Sequence, residues 1–361
     1  MDLLHSLLSR MRRVGASDLL LSTDTPPAFR IDGKLSPRSG DNLTPKHIDQ
    51  IIASLLADEQ RREFLQACEY NLASSFGELG RFRFNLFRQR GNTAVAIRAV
   101  PPEVPSMDQL GLPAPLKEVA LLRRGLVLFV GACGSGKSTA LASMLEHRNH
   151  NDSGHIITVE DPIEYLLPHR QCMVNQREVG IDTHSFHQAL VNALRQSPDV
   201  LVIGEIRTRE AMEKAIEFCS TGHLCLSTLH ANNANEAFDR IINLFEESER
   251  EQILISLAQN TRAVLSQRLI PTPKGGRTAA CELLLHSPLV SENIRRNEFV
   301  KLKEVMEKSS SNGMCTFDQS LYNLYRSGTI SAETALEYAD SASNLRLRMK
   351  LAAHEDKPVS A

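Results

Sequence analysis

Gly131-Ala132-Cys133-Gly134-Ser135-Gly136-Lys137-Ser138 spells G-x-x-x-x-G-K-S, the phosphate-cradling loop of nucleotide hydrolases. Leu126-Val127-Leu128-Phe129-Val130 precedes it, a continuous apolar run of the kind found in strands buried on both faces. Thr139 to Glu146 follows as a helix, with Leu141 and Leu145 one turn apart. Glycines at this point let several backbone N–H groups turn inward onto a phosphate chain, and the helix behind adds the positive end of its dipole. Lys137 is placed to reach the β- and γ-phosphates and Ser138 to ligate Mg²⁺. The residues expected to bind ATP are Gly131, Cys133, Gly134, Ser135, Gly136, Lys137, Ser138 and Thr139. A chance match of this form arises in on the order of one chain in a hundred of this length. The flanking strand and helix make chance less frequent still.

Working outward, 361 residues accommodate two domains, and 42% hydrophobic with 23% charged residues describes an ordinary globular chain. The net charge of −2 advertises neither nucleic-acid nor anionic-membrane binding. Seven scattered cysteines without a C-x-x-C pair argue against a disulfide framework and against a zinc ribbon. No apolar run is long enough to span a bilayer. Leu3, Leu4, Leu7, Leu8 and Met11 fall at helical spacing with Arg10, Arg12 and Arg13 at the far end, the reverse of a signal peptide's order, and read as a core-facing helix. The expectation is a cytoplasmic protein that meets membranes only through partners.

In the first hundred residues, Ser17–Leu21 reads as a strand and Asp32-Gly33 as a hairpin turn. Thr44-Pro45 opens a helix with Ile48, Ile51, Ile52, Leu55 and Leu56 as its apolar stripe. Phe82, Phe84 and Leu86 alternate with Arg81, Arg83 and Asn85, and a second strand from Thr93 to Val100 carries Arg98. Such arginines ordinarily solvate one side of a sheet; beside an ATP-binding domain, γ-phosphate sensing is the alternative. Pro101, Pro102, Pro105, Pro113 and Pro115 mark a semi-rigid boundary. The division expected is a small α+β domain over 1–100, a linker over 101–117, an α/β ATPase domain over 118–290, a helical region over 291–352 and a disordered tail over 353–361.

Three further strands are expected after the phosphate loop, each ending in polar residues, as ligands of open α/β sheets lie outside the carboxyl ends of strands. His155–Val159 runs into Glu160-Asp161-Pro162-Ile163-Glu164, where a carboxylate can orient the attacking water or simply form an acidic turn. Asp199–Gly204 ends in Glu205, in the position where such enzymes hold Mg²⁺ directly or through water, with Arg207 beyond it. Ser185 to Gln196 reads as a capped helix before that strand. Thr221–His230 is expected to be the last strand. His223 and His230 at its ends lie roughly 20 Å or more apart, too far to share an ion. His230, with Ser227 and Thr228, is left as a γ-phosphate contact or a structural histidine. Asn232-Asn233 caps the next helix. Leu254, Leu257, Val264 and Leu265 are placed on a long helix after Ser248, facing the core or a neighbouring subunit.

Together these segments resemble the secretion ATPase family of type II secretion and type IV pili. The resemblance runs through the phosphate loop, an acidic box at Glu160–Glu164, a second box ending in Glu205-Ile206-Arg207 and a histidine box from Thr221 to Ala231. Within the family the pilus-retraction branch, with its PilT and PilU types, is the nearest in pattern. Arg207-Thr208-Arg209-Glu210, the C-terminal run from Gly313–Gln319 to Asn344–Leu351 and the departure of Ser291–Glu298 from the retraction motif favour the accessory PilU type. The resemblance implies a PAS-like domain joined to a RecA-like ATPase domain with a C-terminal helical region. It implies Glu164 as catalytic glutamate, Glu205 as Mg²⁺-site carboxylate, His230 as sensor, and Arg83 and Arg98 as arginines reaching the nucleotide. It also implies a homo-hexameric ring, a PilT-type motor ring and an inner-membrane pilus platform as partners, and a place at the cytoplasmic side of the pilus base. The competing classes are a RecA-like nucleic-acid motor, disfavoured by the neutral charge balance, and a nucleotide-binding regulatory or structural subunit.

Overall fold

The structure, a computed structural model, describes residues 3–31, 33–36, 40–101 and 103–355. The chain divides into two compact units, Met1–Glu103 and Val104–Ala361. In the first, helix α1 (Leu3–Arg13) leads into strands β1 (Asp18–Leu21), β2 (Ala28–Ile31) and β3 (Lys34–Leu35). Helices α2 (Pro45–Leu55) and α3 (Asp58–Ala67) are followed by β4 (Glu69–Ser75), β5 (Arg81–Gln89) and β6 (Asn92–Ala99). These strands form an antiparallel sheet in the order β3-β2-β1-β6-β5-β4.

The alternation of β5 does what it predicts. Phe82, Phe84 and Leu86 are buried with Leu4, Leu8, Met11 and Ile51, while Arg81, Arg83 and Asn85 take the other face. Helix α2 starts where expected, because Thr44 accepts the His47 N–H and Pro45 occupies the first turn. Asp32, half of the expected hairpin turn, lies outside the described residues. Helix α3 and strand β4 had no sequence signal strong enough to claim; Cys68, at φ +64°, turns the chain from one to the other.

The second unit holds strands β7 (Gly125–Val130), β8 (Gly154–Glu160), β9 (Cys172–Glu178), β10 (Val200–Ile203), β11 (Leu224–Leu229), β12 (Thr261–Pro271) and β13 (Arg277–Leu285). Their order is β13-β12-β7-β11-β10-β8-β9, parallel except for the β12–β13 pair. Helices α4 (Leu116–Ala120), α5 (Lys137–Asn151), α6 (Phe186–Ala193), α7 (Arg209–Ser220), α8 (Ala234–Ile242) and α9 (Glu247–Asn260) flank the sheet. Five more follow: α10 (Pro288–Arg295), α11 (Lys301–Lys308), α12 (Phe317–Arg326), α13 (Ala332–Glu337) and α14 (Ala342–Glu355). Leu126, Leu128 and Val130 of β7 join one core with α6 to α9, and Val127 and Phe129 join another with α4 and α5. Burial on both faces is what a continuous apolar run requires of a parallel strand.

Four expectations are corrected here. The sheet has six strands after the phosphate loop rather than three, and β11 is not the last. Val264 and Leu265 lie on β12 rather than on the helix, which ends at Asn260; both are buried. An apolar run this short has no period that separates strand from helix, and only pairing with β7 and β13 decides it. Met107, Leu112 and Leu116, within the segment expected to link the domains, are buried in the core of the second unit. The helix from Ser185 keeps α-form only to Ala193 and tightens to a 3₁₀ turn over Leu194–Gln196. Of the expected tail, α14 runs to Glu355 and the rest lies outside the described residues.

Candidate nucleotide site

Register brings the polar strand ends to one edge of the sheet. Val130 pairs with Leu229, Ser227 with Ile203, and Ile203 with Val159. Gly131, His230 and Glu205 therefore follow, and Glu160 ends, four neighbouring parallel strands at the same edge.

The loop itself depends on glycine. Gly134 and Gly136 stand at φ +75° and +93°. A Cβ at Gly131 would meet Ser135 Oγ at 2.3 Å and the Gln267 carbonyl at 2.6 Å. Lys137 opens α5 and is buried, its Nζ donating to the carbonyls of Gly131 (2.7 Å) and Ala132 (2.8 Å). Burial lowers its pKa, and the negative charge of Glu205 opposes that shift. Ser135 is buried, whereas Cys133, Gly134 and Ser138 are exposed. Thr139 Oγ1 shares a 3.1 Å hydrogen bond with Tyr165 OH, which ties the loop after β8 to the first turn of α5.

Glu205 is gripped on both oxygens. Its Oε1 lies 3.1 Å from His230 Nε2, and its Oε2 accepts from Arg207 at 2.6 Å and 2.8 Å. Glu160 is held differently. Burial raises its pKa; Thr158, Gln176 and the Glu164 N–H donate to its carboxylate and oppose the rise. Glu164 itself is half-buried on the loop beyond. The hydroxyls of Ser227 and Thr228 do not face the loop as expected, because they donate to the carbonyls of Ile203 (2.7 Å) and Gly204 (2.6 Å) and lock β11 to β10. Arg83 and Arg98 lie in the first unit, paired opposite one another across β5 and β6. Arg98 Nε also meets Asp18 Oδ1 at 2.8 Å.

Sequence reading missed Gln267, which packs its side chain on the phosphate loop. The signal was available, since Ser266-Gln267 interrupts the apolar run of β12, but the neighbouring Val264 and Leu265 read as helix. Pockets of about 520 Å³ and 310 Å³ flank the loop, the first lined by His230, Asn232 and Glu236, the second by Gln267, Arg268 and Arg277. Among the described residues no group of three or more His, Cys, Asp or Glu is gathered as a metal cage, and no helix is long and apolar enough to cross a membrane.

A glycine loop between a buried parallel strand and a helix, with a glutamate at the end of another strand of the sheet, defines a P-loop ATPase. The family model described as type II/IV secretion system protein matches residues 7–323. The chain belongs to that family. It is 47% identical over 353 residues to the type IV pilus ATPase PilU of Pseudomonas aeruginosa, covering 98% of this chain and 92% of that protein. It is 37% identical to the PilT of the same organism, described as a type IV pilus retraction ATPase, over 94% of this chain and 98% of the other. Among solved structures, the pilus retraction motor PilT with bound ADP superimposes with a TM-score of 0.89 at 38% identity, covering 96% and 99% of the two chains.

Proposed function

We propose that this chain is an ATP-hydrolysing motor subunit of the type IV pilus, serving pilus retraction and twitching motility as the accessory partner of a PilT-type ring. The observation that carries the reading is Glu205, held by His230 and Arg207 beside Lys137 in a member of the secretion ATPase family. The 47% identity to a PilU protein supports the accessory role.

Each side chain has a part in this reading. Lys137 binds the β- and γ-phosphates, whose charged oxygens are stronger acceptors than the two loop carbonyls it now meets. The Ser138 hydroxyl and the Glu205 carboxylate are oxygen donors that suit Mg²⁺, which keeps most of its waters and needs few protein ligands. Such an ion would neutralise charge building on the phosphates. Glu164 orients the attacking water; Glu160, with its carboxylate fastened by Thr158 and Gln176, is the worse placed of the two for that work. His230 reports the γ-phosphate through Glu205, and Arg83 and Arg98 of the N-terminal domain sense its charge. The working form is a homo-hexameric ring acting on an inner-membrane pilus platform from the cytoplasmic side.

ATP hydrolysis by purified Lys137→Ala protein tests the site. Turnover should drop to background, and a variant as active as the wild type would overturn the assignment.

A further inference from the structure

Strand β12 carries three consecutive polar residues in an apolar run, and each engages a different part of the second unit. Ser266 Oγ donates to Glu282 at 3.0 Å, and that carboxylate also accepts the Ala234 N–H at the start of α8. Arg268 pairs with Asp340 at 2.8 Å, donates to the Tyr338 carbonyl at 3.1 Å and lies 3.8 Å from the Phe317 ring centroid. Lys303 shares Asp340 at 3.1 Å. Burial pushes the Asp340 carboxyl up, but Arg268 and Lys303 outweigh it and hold it below the usual range.

Gln267 turns the other way, as the pleat requires. It is 4% exposed, and a Cβ at Gly136 would stand 2.9 Å from its Nε2. Its backbone oxygen crowds Gly131 in the same manner, so the residue braces both glycines that bracket the loop. Its Oε1 is buried without a hydrogen-bond partner in the structure, and so is Ser135 Oγ beside Gly131. Buried amide oxygens are ordinarily satisfied, and two orphaned atoms at one place mark the contact between Gln267 and the loop.

We propose that Gln267 is a positioning residue of the phosphate loop and that, through Arg268 and Asp340, it makes helices α12 and α13 respond to loop occupancy. The inference rests on the ATPase reading above. Strand β12 is paired with β7 only as far as Ser266, while Gln267 and Arg268 are paired with β13 alone, so displacement at Gln267 passes along this one-sided stretch to Arg268 and to the ion-paired, ring-stacked contacts beyond it.

The test uses the full chain and Mg²⁺-ADP, with ATP turnover, thermal midpoint and amide hydrogen exchange over 317–337 as readouts. In the wild type, Mg²⁺-ADP should slow exchange in that segment. Gln267→Met keeps length and apolar volume without the amide. It should keep the wild-type thermal midpoint and a KM within about threefold of the wild type while kcat falls roughly ten- to a hundred-fold, the signature of lost positioning. It should also lose the ADP-dependent slowing. Asp340→Asn, remote from the loop, should hydrolyse ATP normally and lose the slowing alone. A Gln267→Met variant with wild-type kcat, a kcat loss that merely tracks a fall in thermal midpoint, or slowing that is missing in the wild type or retained in either variant would overturn the proposal. Inactive Lys137→Ala beside wild-type Gln267→Met would remove this inference only; active Lys137→Ala would remove the site reading itself.

Discussion

At the scale of single residues, the sheet edge separates carboxylates by environment. Glu160 and Glu164 are both half-buried, but Glu160 is fastened by Thr158 and Gln176, and Glu205 is bridged between a histidine and an arginine. The difference assigns a separate test to Glu164. Glu164→Gln should retain ATP binding, read by nucleotide titration, while turnover falls about 10²–10⁴-fold, the range for losing a general base. Loss of binding together with turnover would mark the residue as structural. Glu282 gives a second test away from the chemistry. Burial raises its pKa, with the Ala234 N–H and Ser266 opposing, so the folded state holds its proton to higher pH than the unfolded chain. The stability it contributes is complete below the unfolded value and is lost as pH rises through the folded one. Glu282→Gln should therefore gain thermal midpoint relative to wild type as pH is taken from about 5 to about 8. A difference that stays flat, or shrinks with pH, contradicts this.

At the scale of elements, what could be read from sequence was whatever carried a local chemical reason. The phosphate loop was legible because only glycine accepts its backbone, and β5 because Phe82, Phe84 and Leu86 alternate with polar residues. Helix starts were legible at Thr44, Ser185 and Asn233, whose side chains accept the backbone N–H three residues on. Strand β12 was not. Val264-Leu265 in isolation satisfies helix and strand alike, and its partners lie in β7, far back along the chain, and in β13, beyond a turn. The same blindness hid Gln267 and gave Ser227 and Thr228 a catalytic colour that their hydrogen bonds to β10 remove. Paired with Phe129 on one side and Leu283 on the other, Leu265 is a core residue, so Leu265→Ala should destabilise the full chain by about 2–5 kcal/mol in chemical denaturation. A change below about 1 kcal/mol would mean the side chain is not packed as the structure has it.

At the scale of the whole molecule, a catalytic unit and an N-terminal unit with its own core share one chain. Arg83 lies opposite Arg98 across β5 and β6 in that first unit, where Arg98 is also ion-paired with Asp18. Arg83→Ala and Arg98→Ala should each lower ATP turnover while leaving nucleotide affinity near wild type; turnover unchanged in both would withdraw them from γ-phosphate sensing.

Hydrolysis by this chain is proposed to add to the pull of a second motor. Pilus retraction in cells carrying a PilT-type partner, with this chain supplied as wild type or as Glu164→Gln, measures that directly. Wild-type chain should strengthen retraction over the partner alone, and the Glu164→Gln chain, binding ATP without turning it over, should not. Equal strengthening by both would contradict the account, since the chain would then be helping without its chemistry.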